Sequence, residues 1–155
     1  MAAPRNAVMR ELAQGITDLL TAQTFSQNFF AVRGWLQVND IEETDKYLIQ
    51  VVPGDRIVNQ ISRAVNQHDC TINVTVIRKM IGKTEGEVVN ADLVDPITDF
   101  AQEIEDFLGD NLTSIIRTEN LKAVPTQQET TMDMERLETL GIVAVNIAVT
   151  YTLFR

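Results

Sequence analysis

From Cys70 to Val76 the chain alternates without a break. Cys70, Ile72, Val74 and Val76 fall on one side, and Thr71, Asn73 and Thr75 on the other. Side chains on a strand switch faces at every residue, so this arm belongs to a sheet with one oily face and one polar, largely wetted face. Residues 56–80 read as two strands joined at Asn66-Gln67. At that turn the sequence places Gln67-His68-Asp69, which holds the chain's one histidine.

A second run of β-formers closes the sequence. In 142–154, IVAVNIAVTYTLF, the residues Val143, Val145, Ile147, Val149, Tyr151 and Leu153 share a face. At strand rise this run would span about 43 Å, enough to cross a whole sheet or to project beyond it into a neighbour.

The remaining elements follow from shorter patterns. Residues 5–22 carry Val8, Leu12, Ile16, Leu19 and Leu20 at helical spacing, which predicts an amphipathic helix. Residues 29–38 predict a strand, with Gly34 as a bulge site. Phe30, Val32, Leu36 and Val38 share one face there; Phe29, Arg33, Trp35 and Gln37 share the other, which puts Trp35 outward. An acidic loop, 39–45, comes next, and residues 47–52 predict another strand, stopped by Pro53-Gly54. Residues 82–95 lack periodicity and read as a long loop.

Asp95-Pro96 is a helix-start signal. The stripe Ile97, Phe100, Ala101, Ile104, Phe107 and Leu108 continues from it, with Gly109 as the stop. Residues 114–124 are weakly strand-like and end at Pro125, and 126–140 is polar, with a short helical turn expected around 132–137. The order is helix, four strands, helix, two strands. Grouped strands predict an α+β fold: a mainly antiparallel sheet with two amphipathic helices packed on one face, in a single domain over 1–155.

With 155 residues the chain can bury a core without metal or disulfide staples. One cysteine excludes an intrachain disulfide and suits a reducing compartment. The sequence shows neither a membrane-length apolar run nor the apolar core of a secretory signal, so a cytoplasm-like setting is expected. A formal charge of −9 disfavours sequence-independent binding to nucleic acid. It leaves room for a role in which DNA slides past without sticking.

Chemistry finds little support in the motifs. Adjacent residues on a strand point to opposite faces, so His68 and Asp69 make a poor base–carboxylate pair, and Cys70 lacks an activating neighbour. One histidine and one cysteine do not make a zinc site, and the 40–45 run lacks the spacing of a calcium loop. Gly82-Lys83-Thr84 ends like a phosphate loop, but Ile77 stands where its first glycine belongs. The expectation is therefore no catalytic residue, no cofactor and no metal. Arg56, Arg63, Arg78 and Lys79 make the 56–80 stretch basic within an acidic chain. That asymmetry suits head-to-tail contact between copies as well as it suits scattered surface charge.

Val52-Pro53, Ile61-Ser62-Arg63 and Gln67-His68-Asp69 before an alternating strand resemble the tail-terminator, or tail-completion, proteins of tailed bacteriophages, of the minor tail protein U type. The helix leading to Thr24-Phe25-Ser26, the strand with Phe29 and Phe30, the helix over 97–108 and the closing strand extend the resemblance to most of 5–154. Cys70 stands where such proteins often carry an aromatic, and 114–131 matches poorly. The resemblance implies a non-enzymatic virion component at the tail–neck junction, assembled in the host cytoplasm. It implies a homo-oligomeric ring, commonly a hexamer, on the last ring of the tail tube. The ring stops tube polymerisation and meets the head–neck connector or head-completion protein. Its channel passes DNA without specific binding, and no membrane is involved.

Within this expectation Arg63, Gln67, His68 and Asp69 fix the hairpin and border a subunit contact, and Trp35 is a further contact residue. The alternatives are another neck or head-completion protein, an acidic tail-assembly chaperone not retained in the virion, and a small hydrolase built on His68.

Overall fold

The computed structural model of the chain describes residues 5–34, 47–79, 91–111, 123–133 and 142–154. The elements run α1 (Arg5–Thr21), β1 (Phe29–Arg33), β2 (Tyr47–Gln60), β3 (Asn66–Lys79), α2 (Ala91–Asn111), β4 (Ala123–Met132) and β5 (Ile142–Phe154). They form an α+β fold around a five-stranded sheet of order β1-β2-β3-β5-β4. All pairings are antiparallel except β1 with β2, which is parallel.

Both helices lie on one face. Leu12, Ile16 and Leu20 of α1 and Ile97, Phe100, Ile104 and Leu108 of α2 join one buried cluster. Their partners on the sheet are Ile49 and Val51, the row Cys70, Ile72, Val74 and Val76, and the alternate residues Val143 to Leu153. Burying a side chain of this size contributes about 1.5–3 kcal/mol before the entropy of ordering it is subtracted, so these stripes dominate the fold's stability. Phe25, Phe29, Phe100 and Phe107 meet in edge and tilted contacts, and Tyr47 lies 4.7 Å from Phe100 between ring centroids. Ser26 N–H donates to the Glu103 carboxylate at 2.9 Å, which ties the α1–β1 connection to α2. No helix among the described residues is long and apolar enough to cross a membrane.

β5 lies across the whole sheet rather than projecting from it. It pairs with β3 from Gln67–Phe154 to Lys79–Ile142, and with β4 on its other edge.

The local expectations need six corrections. Pro53-Gly54 does not stop the strand: 47–52 and the first arm of 56–80 are one strand, β2, with a register shift between Pro53 and Arg56. The Tyr47 N–H donates to Asn28 O and the Val51 carbonyl accepts from Gly34 N, both at 3.0 Å, so the odd-numbered residues of this arm turn their backbone groups toward β1. Pro53 follows the same parity, and its nitrogen points away from β3, so the proline removes no bond from that ladder. One long strand thus replaces two, and the count before α2 is three.

The hairpin turn lies at 61–65, not at Asn66-Gln67, and Gln67-His68-Asp69 is inside β3. In β1 the faces are reversed. Phe29 and Ala31 pack on the core, while Phe30 and Val32 are 46% and 47% exposed, because Phe29 finds the Phe25 and Phe100 rings. β1 ends at Arg33, and Trp35 lies outside the described residues.

α2 starts at Ala91, before the Asp95-Pro96 signal, and runs past Gly109 to Asn111. Pro96 is the sixth residue of the helix, past the four free amides of its start, so it forgoes one bond in the second turn. Finally, 123–132 is a strand through Pro125, again on a sheet edge with a register shift beside the proline. The helical turn expected at 132–137 is contradicted at Met132, which is in the strand, and 134–137 lie outside the described residues. So do 35–46, 80–90 and 112–122, which hold the acidic loop, most of the long loop and most of the weak strand.

Candidate functional site

The face of the sheet turned away from the helices is polar across its middle. Paired residues share a face, so the register places Asp69 beside Thr152, Thr71 beside Thr150, and Thr75 beside Asn146. These pairs are bonded. Thr152 Oγ1 donates to Asp69 Oδ1 at 2.7 Å, and Gln67 Nε2 lies 3.2 Å from both Asp69 oxygens. Thr152 has one hydroxyl hydrogen, which the carboxylate takes. The Thr126 hydroxyl lies 3.1 Å from Thr152 Oγ1 and 3.3 Å from the Thr150 carbonyl oxygen, so its one hydrogen is shared between these two acceptors. Thr71 and Thr150 hydroxyls are 3.3 Å apart, Thr75 donates to Asn146 at 3.0 Å, and Asn146 donates to Asn73 at 3.3 Å.

This lattice borders an open groove of about 600 Å³. Asp69 and Glu129 give it two carboxylates, and Ile57 and Phe154 give it apolar walls. Among the described residues no lysine or arginine lines it. The Asp69 hydrogen bonds above come from neutral donors, so they orient the carboxylate without cancelling its charge.

From the groove's edge, β2 and the start of β3 run out to the turn as an arm whose apolar side chains are exposed. Ile57 (59%), Val58, Ile61, Val65 and, beside them on β5, Phe154 (58%) are exposed. Ile57 pairs with Asp69 on the polar face, and Val58 pairs with His68 on the helix-side face, so the arm is apolar on both sides. Among the described residues no strand pairs with β2 on its outer edge beyond Val51. The turn itself is well bonded. Ile61 and Ser62 N–H groups donate to Val65 O at 3.2 and 3.1 Å, and Ala64 and Val65 N–H groups donate to Ser62 Oγ at 3.3 and 3.2 Å. Arg63 stands exposed at its tip.

The expected contact residues therefore separate. Gln67 and Asp69 are bonded to each other on the polar face. His68 is buried, 6% exposed, on the opposite face in line with Leu153. Arg63 is at the tip, apart from all three. A His–Asp couple is ruled out by this geometry, as alternation requires. Cys70 is buried, and its thiol pKa is raised by that burial, against the pull of Arg56 and with a smaller push from Asp69. A thiol held protonated is a poor nucleophile. Among the described residues no three His, Cys, Asp or Glu side chains gather as metal ligands would.

Glu129, Thr126 and Phe154 were not among the expected site residues. The signal that could have found Phe154 is the parity of β5, whose even residues Ala148, Thr150, Thr152 and Phe154 lie on the groove face; Thr126 and Glu129 are on β4 and join that face only through the pairing with β5. Comparison with known proteins finds no matching family model and no significantly similar curated relative.

Proposed function

We propose that the protein is a structural component of a tailed-phage particle: a tail terminator that assembles as a ring, commonly six copies, on the head-proximal end of the tail tube. In this reading it ends tube polymerisation, receives the head–neck connector and leaves a channel for DNA. The observation that carries the reading is the β2–β3 arm, which exposes apolar side chains on both faces outside the core. An arm of that kind is stable in water only at a cost, and a neighbouring subunit on each side would remove it. The motifs that resemble the tail-terminator family lie on this arm: Val52-Pro53 at its base, Ile61-Ser62-Arg63 in its turn, Gln67-His68-Asp69 on its return strand. The charge of −9 supports the channel role, since acidic walls repel a passing phosphate backbone.

Native mass spectrometry and electron microscopy of the purified protein, alone and with tail tubes, test the proposal. Rings, or rings capping the tubes, are expected. Monomer alone under both conditions would overturn it.

A further inference from the structure

We infer that the arm of one copy docks on the polar sheet face of the next, its Arg63 guanidinium drawn into the groove that Asp69 and Glu129 make negative. The inference deepens the ring reading and rests on it. Charge complementarity names the occupant. Among the described residues the groove is lined by two carboxylates and no basic side chain, whereas the loop 61–65 carries one guanidinium and no acid. Shape and polarity agree with charge. Ile61 and Val65 flank Arg63 on the exposed tip, and Ile57 and Phe154 wall the groove, so apolar surface meets apolar surface around the ion pair.

The contact joins copies rather than closing on itself. Arg63 is six residues from Asp69 along the same hairpin and is not among the residues that line its own groove. The same two surfaces on every copy then pair head to tail, the heterologous geometry that generates rings when the rotation closes. The neutral donors on Asp69 keep its carboxylate aimed while leaving its charge for the incoming cation.

Charge exchange followed by sedimentation velocity over a concentration series is the test, with far-ultraviolet dichroism confirming that each variant is folded. Arg63→Glu and Glu129→Lys should each weaken association about tenfold or more, and R63E/E129K together should regain most of it. Arg63→Ala, which removes charge without reversing it, should fall between wild type and Arg63→Glu. Association that ignores all four changes would overturn this docking and leave the ring reading standing. A wild-type chain that stays monomeric at every concentration also overturns the docking; the ring reading then falls only if tail tubes fail to recruit a ring.

Discussion

The Thr152 hydroxyl donates to the Asp69 carboxylate at 2.7 Å across the β3–β5 ladder. Through this bond the closing strand holds the groove's half-buried acid in place. Thr152→Val keeps the shape and removes the donor. A hydrogen bond to a charged group contributes about 1.5–3 kcal/mol, so urea unfolding should show a loss in or just below that range. An unchanged midpoint would mean that water replaces the hydroxyl.

Phe100 lies under both β1 and the α1–β1 connection, touching Phe25, Phe29 and Tyr47. Phe100→Ala should cost about 3–5 kcal/mol. Hydrogen exchange should show β1 losing protection first, because among the described residues that strand pairs only with β2.

Gly54 sits in the bulge of β2, where an added Cβ would come within 2.7 Å of Asn73 Nδ2 and 3.1 Å of the Thr71 carbonyl oxygen. Asn73 can swing only by giving up its bond from Asn146, and the carbonyl is backbone. Gly54→Ala should therefore destabilise by about 1–3 kcal/mol in urea titration. A neutral result would show that the bulge relaxes freely.

Alkaline pH should unfold the protein through Cys70 and Tyr151. Burial raises both pKa values from their ordinary 9.0 and 10.0. The unfolded chain releases these protons first, so above pH 9 it binds fewer protons than the fold, and stability falls as pH rises. Cys70→Ala should flatten the first part of that fall, between pH 9 and 10, in melting curves taken against pH. The native thiol should also resist a disulfide reagent at pH 8 and react once the chain is denatured.

The sheet was legible where alternation was long. Cys70 to Val76 and Val143 to Leu153 bury the expected faces, and Leu12, Ile16 and Leu20 of α1 and Ile97, Phe100, Ala101, Ile104 and Leu108 of α2 do the same. Legibility failed where a local breaker met a sheet edge. Pro53 and Pro125 are strand-stopping residues only when their nitrogens face a partner, and edge position is a property of topology that no short window contains. β1 failed differently. Five residues carry two apolar faces, and only the aromatic cluster beyond the strand decides between them. For the site, Asp69 and Gln67 could be named from the sequence, but Glu129 could not. It joins them through β5, across a separation of 60 residues that only the register closes.

β5 has a consequence for the chain's synthesis. Until residues 142–154 have been made, β3 has a bare edge from Gln67 to Lys79, and β4 has no strand to pair with among the described residues. The sheet therefore cannot close progressively as the chain emerges. It waits for the strand that joins β3 to β4, and the waiting edge is a template for pairing with other chains. Closure over more than 60 residues is also intrinsically slow, because loop entropy is lost before any contact is gained. Nascent chains stalled before residue 142 should thus be held by chaperones or lost to aggregation, and yield in the cell should depend more on how quickly β5 arrives than on the stability of the finished fold.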